Sequence, residues 1–219
     1  MAPADPYTCR QMASEMRDFP LFPLPLVLLP TEVLPLHIFE ERYKEMIALC
    51  LDEQREFGVV WLSDDGLKEV GCTARVAEVL EQVEDGRMNI LVRGGTPFRL
   101  LEKQEDHVYP AGTVELLDNQ EGEQEPAETG GEARERYADL LESLTEERPE
   151  QTALAELSAY EMAASVDIDL QVKQGLLELR SEEARLRLLA RLFKAGIKSL
   201  ERAREVADRA SGNGKVEVR

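Results

Sequence analysis

Histidine and cysteine are scarce in this chain, with two of the former and three of the latter among 219 residues. Cys9, Cys50 and Cys72 are odd in number and widely spaced. No Cys-x-x-Cys pair joins them, so neither a disulfide framework nor a cysteine-based zinc site is implied. A reducing, cytoplasmic setting is the simplest one for such thiols. His37 and His107 stand too far apart in sequence to form a local ligand or catalytic pair. Long apolar runs are missing as well. The run from Phe19 to Leu29 is too short for a membrane span, and Pro20, Pro23 and Pro25 interrupt it. Residues 1–18 are polar and mixed, unlike a signal peptide.

Catalytic signatures are also lacking. No Gly-x-x-x-x-Gly-Lys-[Ser/Thr] phosphate loop occurs, so the amides and lysine that cradle a nucleotide's phosphates are missing. No Gly-x-Ser-x-Gly elbow occurs either. Ser199 follows Lys198 directly, and adjacent helical residues point about 100° apart, which prevents an easy Ser–Lys pair. The turn Asp64-Asp65-Gly66 has poor ligand spacing for calcium. The expectation is a chain without metal or cofactor and without enzymatic turnover.

What the chain has in excess is negative charge, a net −18. Residues 1–117 carry 21 acidic and 11 basic side chains, residues 118–181 carry 17 and 5, and residues 182–219 carry 6 and 10. An acidic surface of this size repels nucleic acid phosphates, so no nucleic acid partner is expected. The mildly basic end contains Arg187, Arg191, Lys194, Lys198 and Arg202 on one helix face. That face reads first as a solvated surface opposite a leucine stripe and secondarily as a grip for an acidic partner.

The pattern of residues predicts a β-rich first part. Phe19 to Leu29 must be extended, and its prolines place it at a sheet edge or bulge. Val33 to Phe39 is a second extended piece. Tyr43, Met46, Ile47 and Cys50 recur at helical spacing within residues 40–54. Phe57 to Leu62 is a short buried strand closed by Ser63-Asp-Asp-Gly66. Val70–Val83 and Met88–Val92 form hairpin arms about Glu84-Asp85-Gly86-Arg87. Phe98–Leu101 and Ala111–Leu117 complete six or seven strands, a curled or barrel-like set.

Residues 118–132 are rich in Glu, Gln and Gly and read as a solvated linker. Everything beyond is helical in pattern. Tyr137, Leu140, Leu141 and Leu144 make one stripe. Pro149 suits the first turn of a helix that turns Leu154 and Leu157 inward. A short helix covers about 172–179. Ser181 caps a long last helix with Glu182 and Glu183 in its first turn and Leu186, Leu189, Phe193, Ile197 and Leu200 inward. It runs to about Arg209 and leaves a fraying tail at 211–215.

Two blocks carry a resemblance. Phe19-Pro-Leu-Phe-Pro-Leu24 is followed by Val33-Leu-Pro-Leu-His-Ile-Phe-Glu-Glu-Arg-Tyr43. Further along stand Glu69-Val-Gly-Cys-Thr-Ala74, Asp85-Gly86-Arg87, Asn89-Ile-Leu-Val-Arg-Gly94 with Phe98-Arg-Leu, and Lys173-Gln-Gly-Leu-Leu-Glu178 with Ser181 and Arg185-Leu186. Together they resemble the amino-terminal, substrate-binding domain of Lon proteases over about residues 17–205. Gly94-Gly95 departs from the family's single glycine, and the acidic stretch 118–132 belongs to no shared pattern.

The resemblance implies an α+β fold, a PUA-like β pseudo-barrel with one inserted helix, followed by an α-helical bundle ending in a long helix. It implies three regions: a β-rich subdomain at 17–117, an acidic linker at 118–132 and a helical subdomain at 133–210. It also implies a free-standing, non-catalytic module, separate from the family's ATPase and Ser–Lys peptidase parts, that binds unfolded or degradation-prone polypeptide segments. Partners would be client proteins and a protease or ATPase, with self-association into a homodimer. From the motif, the substrate-binding residues are Phe22, Leu24, His37, Phe39 and Tyr43, although most of these side chains also suit the barrel core. The alternative function is a sensor of small molecules or nucleotides with a pocket between barrel and bundle.

Overall fold

The computed structural model describes residues 15–104, 107–117 and 127–212. Cys9, positions 118–126 of the expected linker and the tail beyond 212 lie outside the described residues. The elements in chain order are β1 (Glu15–Leu24), β2 (Val33–Ile38), α1 (Glu41–Asp52), β3 (Phe57–Ser63), β4 (Gly66–Leu67), β5 (Val70–Gln82), β6 (Met88–Gln104), β7 (Ala111–Leu116), α2 (Ala127–Thr145), α3 (Gln151–Ala155), α4 (Ala159–Ala164), α5 (Leu170–Glu178) and α6 (Glu182–Gly212). The described residues divide into two compact units, one drawn from Met1–Asp118 with Ile168–Glu178 and the other from Asn119–Asp167 with Leu179–Arg219. The class is α+β, as the sequence predicts.

In the first unit seven strands form one sheet in the order β1-β7-β6-β5-β3-β4, with β2 on β6. A parallel pairing of β1 with β3, from Leu21↔Gly58 to Leu24↔Trp61, turns the sheet back on itself. The result is ring-like without being a regular barrel. Phe19, Leu21, Val60, Phe98, Leu100 and Val114 fill its core. The prolines of β1 are tolerated for a reason the sequence did not show. β1 is not an edge strand, because its first half pairs with β7 and its second half with β3. Each half therefore has one side free of a ladder. A bulge between Met16 and Phe19, with Asp18 at φ 53°, marks the bend before the changeover.

β6 is one strand of 17 residues where the sequence suggests two. Gly94 lies within it at a close crossing. There the β1–β2 connector crosses the strand so closely that a methyl group on Gly94 would overlap the Leu29 carbonyl. The Thr31 N–H donates to the Gly94 carbonyl at 3.0 Å, and the Gly94 N–H donates to the Glu32 carbonyl at 2.9 Å. Gly95 is equally confined, because Thr73 Oγ1 lies where its Cβ would go. That hydroxyl accepts from the Thr96 N–H at 2.9 Å.

Helix α5 is helical as expected but packs on the sheet side of the molecule. Gln174 donates to the Val70 carbonyl at 3.1 Å, and Lys173 meets Glu32 at 2.6 Å with both side chains largely buried. The Glu32 carboxylate also accepts from the Leu29 N–H at 2.9 Å.

In the second unit α2 already begins at Ala127, so residues 127–132 of the expected linker are helix. The buried stripe of α2 is Ala133, Tyr137, Ala138 and Leu140, while Leu144 is exposed. Pro149 precedes the cap residue Glu150 rather than standing in the first turn. The short helix α4 escaped the hydrophobic pattern, yet Ser158-Ala-Tyr-Glu161 carries a reciprocal capping box that signals it. Leu186, Leu189 and Phe193 of α6 are buried, with Tyr137 against Phe193 at 5.6 Å between ring centres. Arg185, 1% exposed, donates to the Leu179 carbonyl at 2.6 Å, pairs with Glu182 at 3.0 Å and lies 4.6 Å above the Tyr160 ring.

Gly94→Ala is expected to lower stability by about 3 kcal/mol, the upper end of the cost of overpacking. Gly131→Ala and Gly175→Ala lie on helices with open space around the new methyl and are expected to raise stability by up to about 1 kcal/mol. Urea midpoints at unchanged slope provide the comparison. Lys173→Met leaves the largely buried Glu32 carboxylate without its cation and is expected to cost about 3 kcal/mol. Adding Glu32→Gln to it should cost clearly less than the sum of the two single changes, which a double-mutant cycle measures.

Candidate functional site

The end of β1, the end of β2 and the start of α1 converge on a cleft of about 550 Å³, to which β3, β4 and Pro110 add walls. The five residues singled out in the sequence all line it: Phe22, Leu24, His37, Phe39 and Tyr43. They play different parts. Phe22 and Tyr43 are buried, with ring centres 4.2 Å apart, and form the floor. Leu24 is half-buried. Phe39 stands at the mouth, 59% exposed, with its ring near-parallel to His37 at 5.8 Å. The chain thus leaves one large aromatic side chain in water beside an apolar hollow, which no folding argument requires.

The local fold accounts for these positions. On α1 the helical spacing sends Tyr43, Met46, Ile47 and Cys50 inward. Phe39 falls between β2 and α1, where neither element's periodicity commits it to the core. Leu62 and Leu67, which reach the cleft from β3 and β4, were not foreseen, and neither was Pro110. They come from distant parts of the chain, and no local signal ties them to the opening motif.

Charge at the cleft is internally balanced. Arg42 grips the Glu40 carboxylate through two nitrogens, at 2.7 and 3.0 Å, and lies 4.6 Å above the Tyr43 ring. Burial pushes the Tyr43 phenol above its ordinary pKa, with Arg42 acting in the opposite direction and Glu40 in the same one. On the outer side His37 Nδ1–H donates to Asn89 Oδ1 at 2.6 Å, and Asn89 Nδ2 donates to Glu81 at 2.8 Å.

Among the described residues no group of three or more His, Cys, Asp or Glu side chains is placed to hold a metal ion. The Asp64-Asp65-Gly66 turn simply joins β3 to β4, with the Ser63 hydroxyl donating to the Gly66 carbonyl at 2.9 Å. Burial raises the Cys50 thiol to about 11 and pushes the fully buried Cys72 thiol higher still, so neither is a thiolate near neutrality. His107 is exposed beside Asp18 at 3.4 Å, away from the cleft lining. On the basic face of α6, Arg187, Arg191 and Lys194 border a separate hollow with Thr129 and Glu132, and Arg187 is already paired with Glu183.

Comparison with known proteins gives this geometry a context. The sequence model of the ATP-dependent protease La (LON) substrate-binding domain matches residues 18–195. Lon protease 2 of Myxococcus xanthus is 25% identical over 191 residues, which cover 80% of this chain and 23% of that protein. Lon protease of Anaeromyxobacter dehalogenans is 26% identical over 191 residues, which cover 80% of this chain and 22% of that protein. The chain therefore spans less than a quarter of these curated relatives, and the matched family domain is the substrate-binding one, not a catalytic one. The Lon N-terminal domain protein of Xanthomonas campestris superposes with a TM-score of 0.62 at 23% identity, over 80% of this chain and 96% of that one. The N-terminal domain of Lon protease from the Mycobacterium avium complex gives 0.60 at 18% identity, over 83% and 98%. These two likenesses establish the shared fold, and with the match over residues 18–195 the chain belongs to the Lon substrate-binding domain family.

Proposed function

We propose that this protein binds apolar segments of unfolded or degradation-prone client polypeptides in the cleft between β1, β2 and α1, without catalysing a reaction on them. The observation that carries this reading is the exposed Phe39 at the mouth of a mostly apolar hollow with an aromatic floor. A side chain entering from a client leaves water on all sides, at about 25 cal/mol per Å² of apolar surface removed. Phe22 and Tyr43 are already packed together, so little ordering cost falls on the protein. Such a module serves as a recognition part that presents clients to an ATPase or protease, and nucleic acid is an unsuited ligand for its acidic surface. No described helix is long and apolar enough to cross a membrane. The buried thiols Cys50 and Cys72 support a reducing cytoplasm as the working environment.

The test is binding of a permanently unfolded protein, reduced and carboxymethylated, followed by fluorescence anisotropy. Phe39→Ala removes an exposed ring and should weaken binding about tenfold, the usual effect of losing an aromatic anchor. Leu24→Asp should weaken it further. Val206→Ala, an exposed apolar change on α6, should leave it unchanged. Equal affinity for the folded and unfolded forms of the test protein, or full binding by Phe39→Ala, would sink the reading.

A further inference from the structure

We infer that the client is read as an extended strand added to the free edge of β2, with a lysine or arginine beside its apolar anchor. This rests on the cleft reading above and specifies how the client lies. Among the described residues β2 has a single strand partner, β6, in the register Val33↔Arg93 to Ile38↔Met88. The Gly94 N–H to Glu32 carbonyl bond sets the phase of this ladder. In an antiparallel pair the bonded positions alternate, so Leu34, Leu36 and Ile38 turn their backbone groups to β6. Val33, Pro35 and His37 turn theirs outward. Pro35 provides an independent check, since a proline is at home where the ladder asks for no N–H.

The outward row offers two donors, at Val33 and His37, and three carbonyl acceptors, spaced about 6.8 Å apart. Only a backbone in extended form matches that repeat. The apolar cleft and a second hollow of about 600 Å³ over Pro35, Leu36 and the exposed Leu80 both border this strand and share Leu36 and His37. A segment lying along β2 thus has side-chain hollows beside the backbone it would bond.

Charge selects the occupant. At the His37 end the nearby cations are engaged: Arg42 by Glu40, Arg87 by Asp85, and Lys44 by Glu41 and the Asp85 carbonyl; Arg93, at the opposite end across from Val33, donates to the Thr31 carbonyl. Glu81 has Asn89 as its hydrogen-bond donor and no ion-pair partner among the described residues, and it lines a small hollow with His37. Glu81 lies on β5, and the row Glu81–Asn89–His37 leads from it across β6 to the edge; the unpaired charge of that row is negative, and its complement is a long cationic side chain reaching over His37. A second copy of β2 is a poor occupant. Antiparallel pairing about Pro35 would set two prolines opposite each other and delete both central bonds.

The test uses the full chain and a labelled ten-residue peptide of alternating serine and leucine or phenylalanine with one central lysine. Two N-methylated versions, one at odd and one at even positions, remove the donors on one or the other edge of the peptide. One version should lose at least tenfold in affinity and the other should match the parent. Amide exchange at Val33 and His37 should slow on binding. Glu81→Lys should cost about fivefold, the worth of an exposed ion pair, and a peptide with glutamate for lysine should recover it. If both methylated versions bind like the parent while Phe39→Ala still weakens binding, strand addition is overturned and the cleft reading stands. If the charge exchange changes nothing, the cationic requirement is overturned. If no peptide binds, both readings fall.

Discussion

The connector between β1 and β2 crosses β6 at Gly94, and the candidate site depends on that crossing. Two backbone bonds, from Thr31 to Gly94 and from Gly94 to Glu32, pin the connector to the strand it passes. Thr31 accepts φ 67° there, an unusual conformation for a β-branched residue, and Glu32 fixes the turn by accepting from the Leu29 N–H. The same carboxylate holds Lys173 of α5. A side chain in place of Gly94 would overlap the Leu29 carbonyl and push the connector away from β6. The cleft and the edge beside it are consequences of this close approach.

From that anchor the chemistry of the cleft follows. The buried ring pair of Phe22 and Tyr43 provides an apolar floor that is already ordered, and the Arg42–Glu40 pair neutralises the rim with its own charges. Polar groups near the site bond to one another, as the chain His37–Asn89–Glu81 illustrates. The two buried thiols are held protonated by their surroundings. An apolar cleft of this kind agrees with membership of a substrate-binding family.

Much of the architecture was legible in the order of residues. Apolar runs, prolines and turn residues marked six of the seven strands within about five residues, and the stripe Tyr43, Met46, Ile47, Cys50 marked α1 with the buried face it has. The five motif residues meet in one cleft, because they lie within 22 positions on three consecutive elements and the link between the last two. Misreadings had local causes. The segments 88–92 and 98–101, read as two strands, are one, and the strand runs through the intervening Gly94, where the crossing connector needs the space. Leu144 fits the stripe of α2 by spacing and is exposed nonetheless, near that helix's end.

Side-chain pattern by itself determined which segments are helix or strand, which faces are apolar, and that a proline-rich opening block leads into a helix. These are properties of neighbours in sequence, governed by backbone geometry and by the period of burial. Tertiary structure alone decided that β1 divides its pairing between β7 and β3, that α5 joins the sheet, and that Leu62, Leu67 and Pro110 complete the cleft. It also decided which of the apolar motif residues stay in water: Phe22 is buried and Phe39 is not. The physical reason is that exposure depends on what the rest of the chain brings alongside a residue, and pairings between distant segments leave no mark in the local order of side chains.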